Sequence, residues 1–132
     1  MQEGPGFIAA LVYLPKFYNP DAHGIREMVE AEKLEQTARE ITEHFEEGGT
    51  IFDSGDPPTG FWWDKGFVDR DVLVILEVDI PDTPQSRAWL KSYAREVLLE
   101  RFRQRAIDIK YVAIERALVT AEVEKVSSEE GE

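Results

Sequence analysis

The chain has 132 residues, 42% hydrophobic and 11% aromatic, enough to bury one ordinary core in one domain. Its formal charge of −12, from 27 acidic and 15 basic side chains, sets up a field that repels nucleic-acid phosphates and anionic membranes. Cysteine is absent, which excludes disulfides, thiolate metal sites and cysteine nucleophiles.

No basic segment precedes a long apolar run near the start, so neither a cleaved leader nor a membrane span is expected, and the expected location is the cytoplasm. Phe7 to Leu14 reads as a first strand ended by Pro15, which cannot donate to a ladder. The stretch from Lys16 to Arg26 is rich in turn formers, with Asn19-Pro20, Asp21 and Gly24. A helix is expected over about Glu27 to Glu47, with Leu34, Ala38, Ile41 and Phe45 on one face and Gly48-Gly49 stopping it. Thr50 to Asp53 is a short strand, and the prolines and glycines of Ser54 to Gly60 end it. Phe61-Trp62-Trp63-Asp64, Lys65-Gly66 and Phe67-Val68 form a tight hairpin, with Gly66 supplying a positive φ.

The strand that follows, Val72 to Ile80, is the most informative segment. Val72, Val74, Leu76, Val78 and Ile80 share one face, while Leu73 and Ile75 lie on the other. A strand with one wet face alternates apolar and polar residues; this one does not, and neither does the first. Both faces of the sheet must therefore be covered, one by helices and the other by a second copy. Leu11, Leu73 and Ile75 are the residues expected in that contact.

Asp82 or Thr83 caps a second helix, with Pro84 in its first turn. It is expected to run to about Arg105 with Leu90, Tyr93, Ala94, Val97, Leu98 and Phe102 inward. A last strand spans Ile107 to Glu115, and the domain is expected to cover residues 1–117. Residues 118–132, ending in SSEEGE, have the composition of an acidic, disordered tail. This order is the split β-α-β layout: an α+β, ferredoxin-like sandwich with two helices on one face of an antiparallel sheet and an extra hairpin strand. Its first and third main strands lie in the centre, and those are the two with apolar residues on both faces.

The charges are uneven. Eight Glu between Glu27 and Glu47 face only Lys33 and Arg39, whereas Arg87 to Lys110 holds seven basic residues against Glu96, Glu100 and Asp108. Two helices with complementary exposed faces account for this, each pair contributing only ~0–1 kcal/mol; the alternative makes Arg87, Lys91 and Arg95 a docking face for an acidic partner.

Other candidate sites compete with plainer roles. Trp62 and Trp63 must point to opposite sides of a strand, so one of them can anchor an interface or line a pocket, unless both simply pack at a sheet edge. Tyr18, Asp21 and His23 could form a proton-transfer site in the loop after the first strand, although a loop histidine is usually exposed and inert. His44 reads as a surface group. Asp69, Asp71, Glu77 and Asp79 share a strand face but are spread over about 20 Å with Leu73 and Ile75 between them, so no metal site is expected. No phosphate loop, nucleophile elbow or dinucleotide fingerprint occurs, and no cofactor is expected.

Gly48-Gly49-Thr50, Gly60-x-Trp62 or Trp63, Gly66, the acidic strand and the basic helix leading to Arg101-Phe102-x-Gln104 resemble small uncharacterised prokaryotic proteins of ferredoxin-like fold. The resemblance covers roughly Phe7 to Arg116; it implies the fold and carries no activity or site residues. Three functions remain open: an association domain of structural or regulatory role, expected to be a homodimer joined through the open sheet face, an enzyme or small-molecule binder of the dimeric α/β-barrel kind using Tyr13, Tyr18, His23 and Trp62, and an acidic protein-binding inhibitor. Neither nucleic acid nor membrane is an expected partner.

Overall fold

The computed structural model describes residues 6–53 and 59–121, with the side chains of residues 59–64 and 67–70 outside that description. Five strands form one antiparallel sheet: β1 (Phe7–Pro15), β2 (Gly49–Phe52), β3 (Thr59–Asp64), β4 (Phe67–Pro81) and β5 (Asp108–Ala113). The order β2-β4-β1-β5 places β1 and β4 in the centre, as their two-sided apolar pattern requires. Helix α1 (Ala31–Phe45) connects β1 to β2. Helix α2 (Pro84–Tyr93), a π-helical turn (Ala94–Leu98) and a short α3 (Leu99–Arg101) connect β4 to β5. The ferredoxin-like α+β layout is present.

Both connections lie on one face. Ile8, Ala10, Val12 and Leu14 of β1 and Val74, Leu76, Val78 and Ile80 of β4 are all at most 4% exposed. They form a single cluster with Leu34 and Ile41 of α1 and with Leu90, Ala94, Leu98 and Phe102 from the second helical stretch. Burying a side chain of this size contributes about 1.5–3 kcal/mol, so this layer accounts for most of the hydrophobic stabilisation.

Several boundaries differ from expectation. The first helix starts at Ala31 rather than Glu27, because the chain before it turns back along the exit of β1: Phe17 bridges Met28, and the Val29 amide donates to the Lys16 carbonyl at 2.9 Å. Glu46, at φ 57°, makes the left-handed stop assigned to Gly48-Gly49. Gly49 is needed for another reason: a Cβ there would lie 2.4 Å from the Glu77 carbonyl oxygen, so only glycine lets β2 approach β4.

The second helical stretch ends at Arg101, not Arg105. Arg103 adopts φ 54°, its amide bonds to Glu100, and the Gln104 amide reaches the Leu99 carbonyl. That is a Schellman ending with arginine in the usual glycine place. The Arg103 guanidinium stacks 4.2 Å over the Tyr18 ring, which offsets the cost of the left-handed backbone. At the other end Thr83 is the cap, its hydroxyl accepting from the Ser86 amide at 3.1 Å. The β5 strand is shorter than the expected Ile107–Glu115, and β1 takes in Pro15.

Lys65 (φ 50°) and Gly66 (φ 104°) both adopt positive φ, the type I′ geometry of a two-residue hairpin. Strands β2 and β3 both pair with β4, at Ile75–Val78 and at Phe67–Val72. Since β1 pairs only with Leu73 to Pro81, the β3–β4 hairpin runs past the rest of the sheet as a two-stranded ribbon about 20 Å long.

Candidate interface on the open sheet face

Strand residues directly opposite one another share a face, so the ladder register fixes the composition of the uncovered side. One row runs Phe52–Ile75–Tyr13–Asp108 across β2, β4, β1 and β5. The next runs Thr50–Glu77–Leu11–Lys110, and the third runs Asp79–Ala9–Val112. Leu73 lies beside Pro15 at the other end. Leu11, Leu73 and Ile75, expected at the contact from sequence, thus lie together on this face with Tyr13 and Phe52.

None of the five is fully buried; Phe52 is 49% exposed and Val112 46%. Around them stands a charged rim. Lys110 lies 5.2 Å over the Tyr13 ring and 3.9 Å from Asp108. Arg116 reaches back from beyond β5 to Asp79 at 2.8 Å and Glu47 at 3.4 Å, with its guanidinium 5.1 Å over Phe7. The hydrogen bond to Asp79 holds the Arg116 guanidinium above its already high range. An apolar centre with a charged border is the anatomy of a protein contact. Sequence reading missed Phe52 and Val112. Placing Thr50 to Asp53 alongside β4 would have found Phe52, because the register sets it opposite Ile75.

The loop candidates have other neighbours. Tyr18 is 5% exposed; its hydroxyl donates to Glu30 at 2.5 Å and accepts from Lys33 at 2.5 Å. The bond from Tyr18 is the main reason the Glu30 carboxyl is held below its usual range. Lys33 also donates to the Arg101 carbonyl at 3.1 Å, so this cluster ties the loop to a helix end. Asp21 caps its own turn, accepting from the amides of His23 at 2.8 Å and Ile25 at 2.9 Å. His23 is exposed at the tip. The structure places Tyr18 in the helix-side layer and leaves Asp21 and His23 outside it. Among the backbone pairs, Trp62 is opposite Asp69 and Trp63 opposite Val68; their side chains lie outside the described residues. Residues 54–58 and 122–132 lie outside them as well.

A second polar cluster joins the helices on the far side of the core. Arg101 donates to Thr37 at 2.8 Å and to Glu40 at 3.0 Å, and the Tyr93 hydroxyl donates to Glu40 at 2.6 Å. Burial first, then the bond to Glu40, pushes the Tyr93 hydroxyl up to about 12. The same hydrogen bond, followed by Arg101, holds Glu40 down. Trp89 stacks on Tyr93 at 4.9 Å and on His44 at 3.8 Å, so His44 is an exposed ring resting on the helix pair. No helix among the described residues is long and apolar enough to cross a membrane.

No protein-family model matches the sequence, and no curated protein matches it. Solved structures match in shape. The divalent cation tolerance protein (Cut A1) from Thermus thermophilus superposes with a TM-score of 0.57 at 15% identity, over 90% of this chain and 92% of that one. The periplasmic divalent cation tolerance protein CutA from Archaeoglobus fulgidus gives a TM-score of 0.57 at 16% identity, over 96% of this chain and 99% of its own. A phage SAM lyase in complex with S-methyl-5′-thioadenosine gives 0.51 at 12% identity, over 89% and 98%. At such identities the fold is what is shared. Cation-tolerance proteins and a lyase on one scaffold show that function must be argued from the site.

Proposed function

We propose that this chain is an association domain of structural or regulatory role, joined to further copies of itself through the open sheet face in the cytoplasm. The observation that carries the reading is the row Phe52–Ile75–Tyr13, flanked by Leu73 and Leu11, on a face that no helix among the described residues covers. Apolar side chains on two central strands, left partly exposed by the single chain, gain by excluding water against a matching surface at about 25 cal/mol per Å². A symmetric pairing sets each patch against its own copy. The charged rim, with Arg116, Asp79, Lys110 and Asp108, then sets orientation more than affinity. The β3–β4 ribbon supports the same reading, because a two-stranded hairpin is marginal alone and gains from a neighbour's packing.

Sedimentation of the purified chain at micromolar concentration tests this. The unmodified protein is expected to be oligomeric and Ile75→Glu to be monomeric and still folded by circular dichroism. An unmodified protein that sediments as a single copy would sink the proposal.

A further inference from the structure

On the helix side, a groove of about 720 Å³ lies between the second helical stretch and β5. Arg87, Lys91 and Arg95 line its helical wall, and Ile107, Ile109 and Tyr111 line its strand wall. Arg87 is engaged, 2.9 Å from Asp82 and 5.2 Å over the Tyr111 ring. Lys91 and Arg95 are exposed and have no carboxylate partner among the described residues, in a chain of net charge −12. Asp108, the carboxylate among the lining residues, lies 3.9 Å from Lys110. The groove is therefore a basic site in an acidic molecule.

Its geometry narrows the ligand. The three cations are spaced four residues apart along the helix, a rise of about 6 Å per step and roughly 12 Å in all. A small anion would occupy one such step. Alternate residues of an extended strand advance by about 6.6 Å, close to the same pitch. The strand wall adds a second match, because β5 pairs with β1 alone and its outer backbone edge has no partner strand among the described residues. We propose that this groove receives an acidic, extended protein segment as an added strand on β5, with carboxylates at alternate positions beneath Lys91 and Arg95, while Arg87, held by Asp82, bounds the site. Main-chain hydrogen bonds to the edge supply affinity, and the cation row selects the sequence. The site meets the open face at Asp108, on that face's charged border, and does not depend on self-association.

A fluorescein-labelled Ac-Glu-Val-Glu-Val-Glu-amide peptide, titrated with the full chain and followed by anisotropy, tests this. Saturable binding that weakens with added salt is expected, since exposed charges are screened over about 10 Å at 0.1 M. The double variant Lys91→Glu, Arg95→Glu, checked for folding by circular dichroism, should bind at least about tenfold more weakly. A backbone N-methylated peptide should lose affinity likewise. Ile75→Glu should bind as the unmodified chain does, which separates failure of this proposal from failure of the previous one. The proposal is overturned by absent saturation, by binding unchanged in the double variant, or by equal binding of the N-methylated peptide. Competition by inorganic phosphate at equal strength would overturn it in favour of a small-anion site. Peptide binding that disappears as protein concentration rises would overturn it too, showing the edge taken by another copy.

Discussion

The two faces of this sheet are made of similar residues and end in different states. On the helix side, Val12, Val74 and Ile80 are fully enclosed. On the other, Leu11, Tyr13, Leu73 and Ile75 stay partly exposed, and Phe52 more so. Strand periodicity states that a face is apolar; it does not state what covers it. The helix side is closed by the chain itself through Leu34, Ile41, Leu90, Leu98 and Phe102, whereas the open side carries its own polar border at Asp79, Lys110 and Asp108. A border of ions would be costly inside a core. Its presence suits the proposed contact at the edge of water.

The comparison can be broken first at its strongest point. Phe102→Ala on the enclosed face should cost about 3–5 kcal/mol in urea unfolding of the Ile75→Glu background, whereas Leu73→Ala in that background should cost under about 1 kcal/mol. Equal losses would mean that the faces contribute alike within one chain. The junction between β2 and β4 comes next. Gly49→Val should lower stability by roughly 1–3 kcal/mol, since the new side chain meets Glu77 and Val78 backbone, and Phe52 should lose its alignment with Ile75. Unchanged melting together with unchanged assembly would contradict the required approach.

The smallest effect concerns the polar cluster beside the enclosed face. The Tyr93 hydroxyl is raised in the folded state, so its stabilisation is complete below its unfolded value near 10 and is lost as pH climbs towards about 12. Tyr93→Phe should flatten the alkaline limb by up to roughly 1.4 kcal/mol per pH unit, read from urea midpoints at stepped pH. Superimposable limbs would show that Tyr93 titrates alike in both states. The lowered Glu40 works in the opposite sense, with its contribution present above the ordinary carboxylate value and lost on acidification.

Local signals read well where the chemistry is local. Thr83 before Pro84 fixed a helix start, and Lys65-Gly66 a hairpin, because each needs only its own backbone. Apolar residues on both faces of β1 and β4 predicted their central places, because a strand covered on each side leaves no wet face to alternate. What failed depends on contacts distant in sequence. Met28 and Val29 leave a helical pattern because Phe17 and Lys16 offer backbone partners. Arg103 holds a left-handed φ because Tyr18, far back in the chain, presents its ring. Phe52 joins the apolar row of the open face only once β2 is set in register with β4. The groove wall was visible as a spacing of cations on one helix, but its strand wall and depth appear only with β5 in place.

The π-helical turn at Ala94–Leu98 sets the phase of the second helical stretch. Leu90, Ala94, Leu98 and Phe102 repeat every fourth residue, and each such step overshoots a regular α-helix by about 40°. A turn bonded over five residues takes part of that overshoot back, keeping all four in phase with the sheet. One surplus residue is thereby stored as local width instead of being passed on as rotation. Along this connection, that turn is where chain length and core phase are uncoupled.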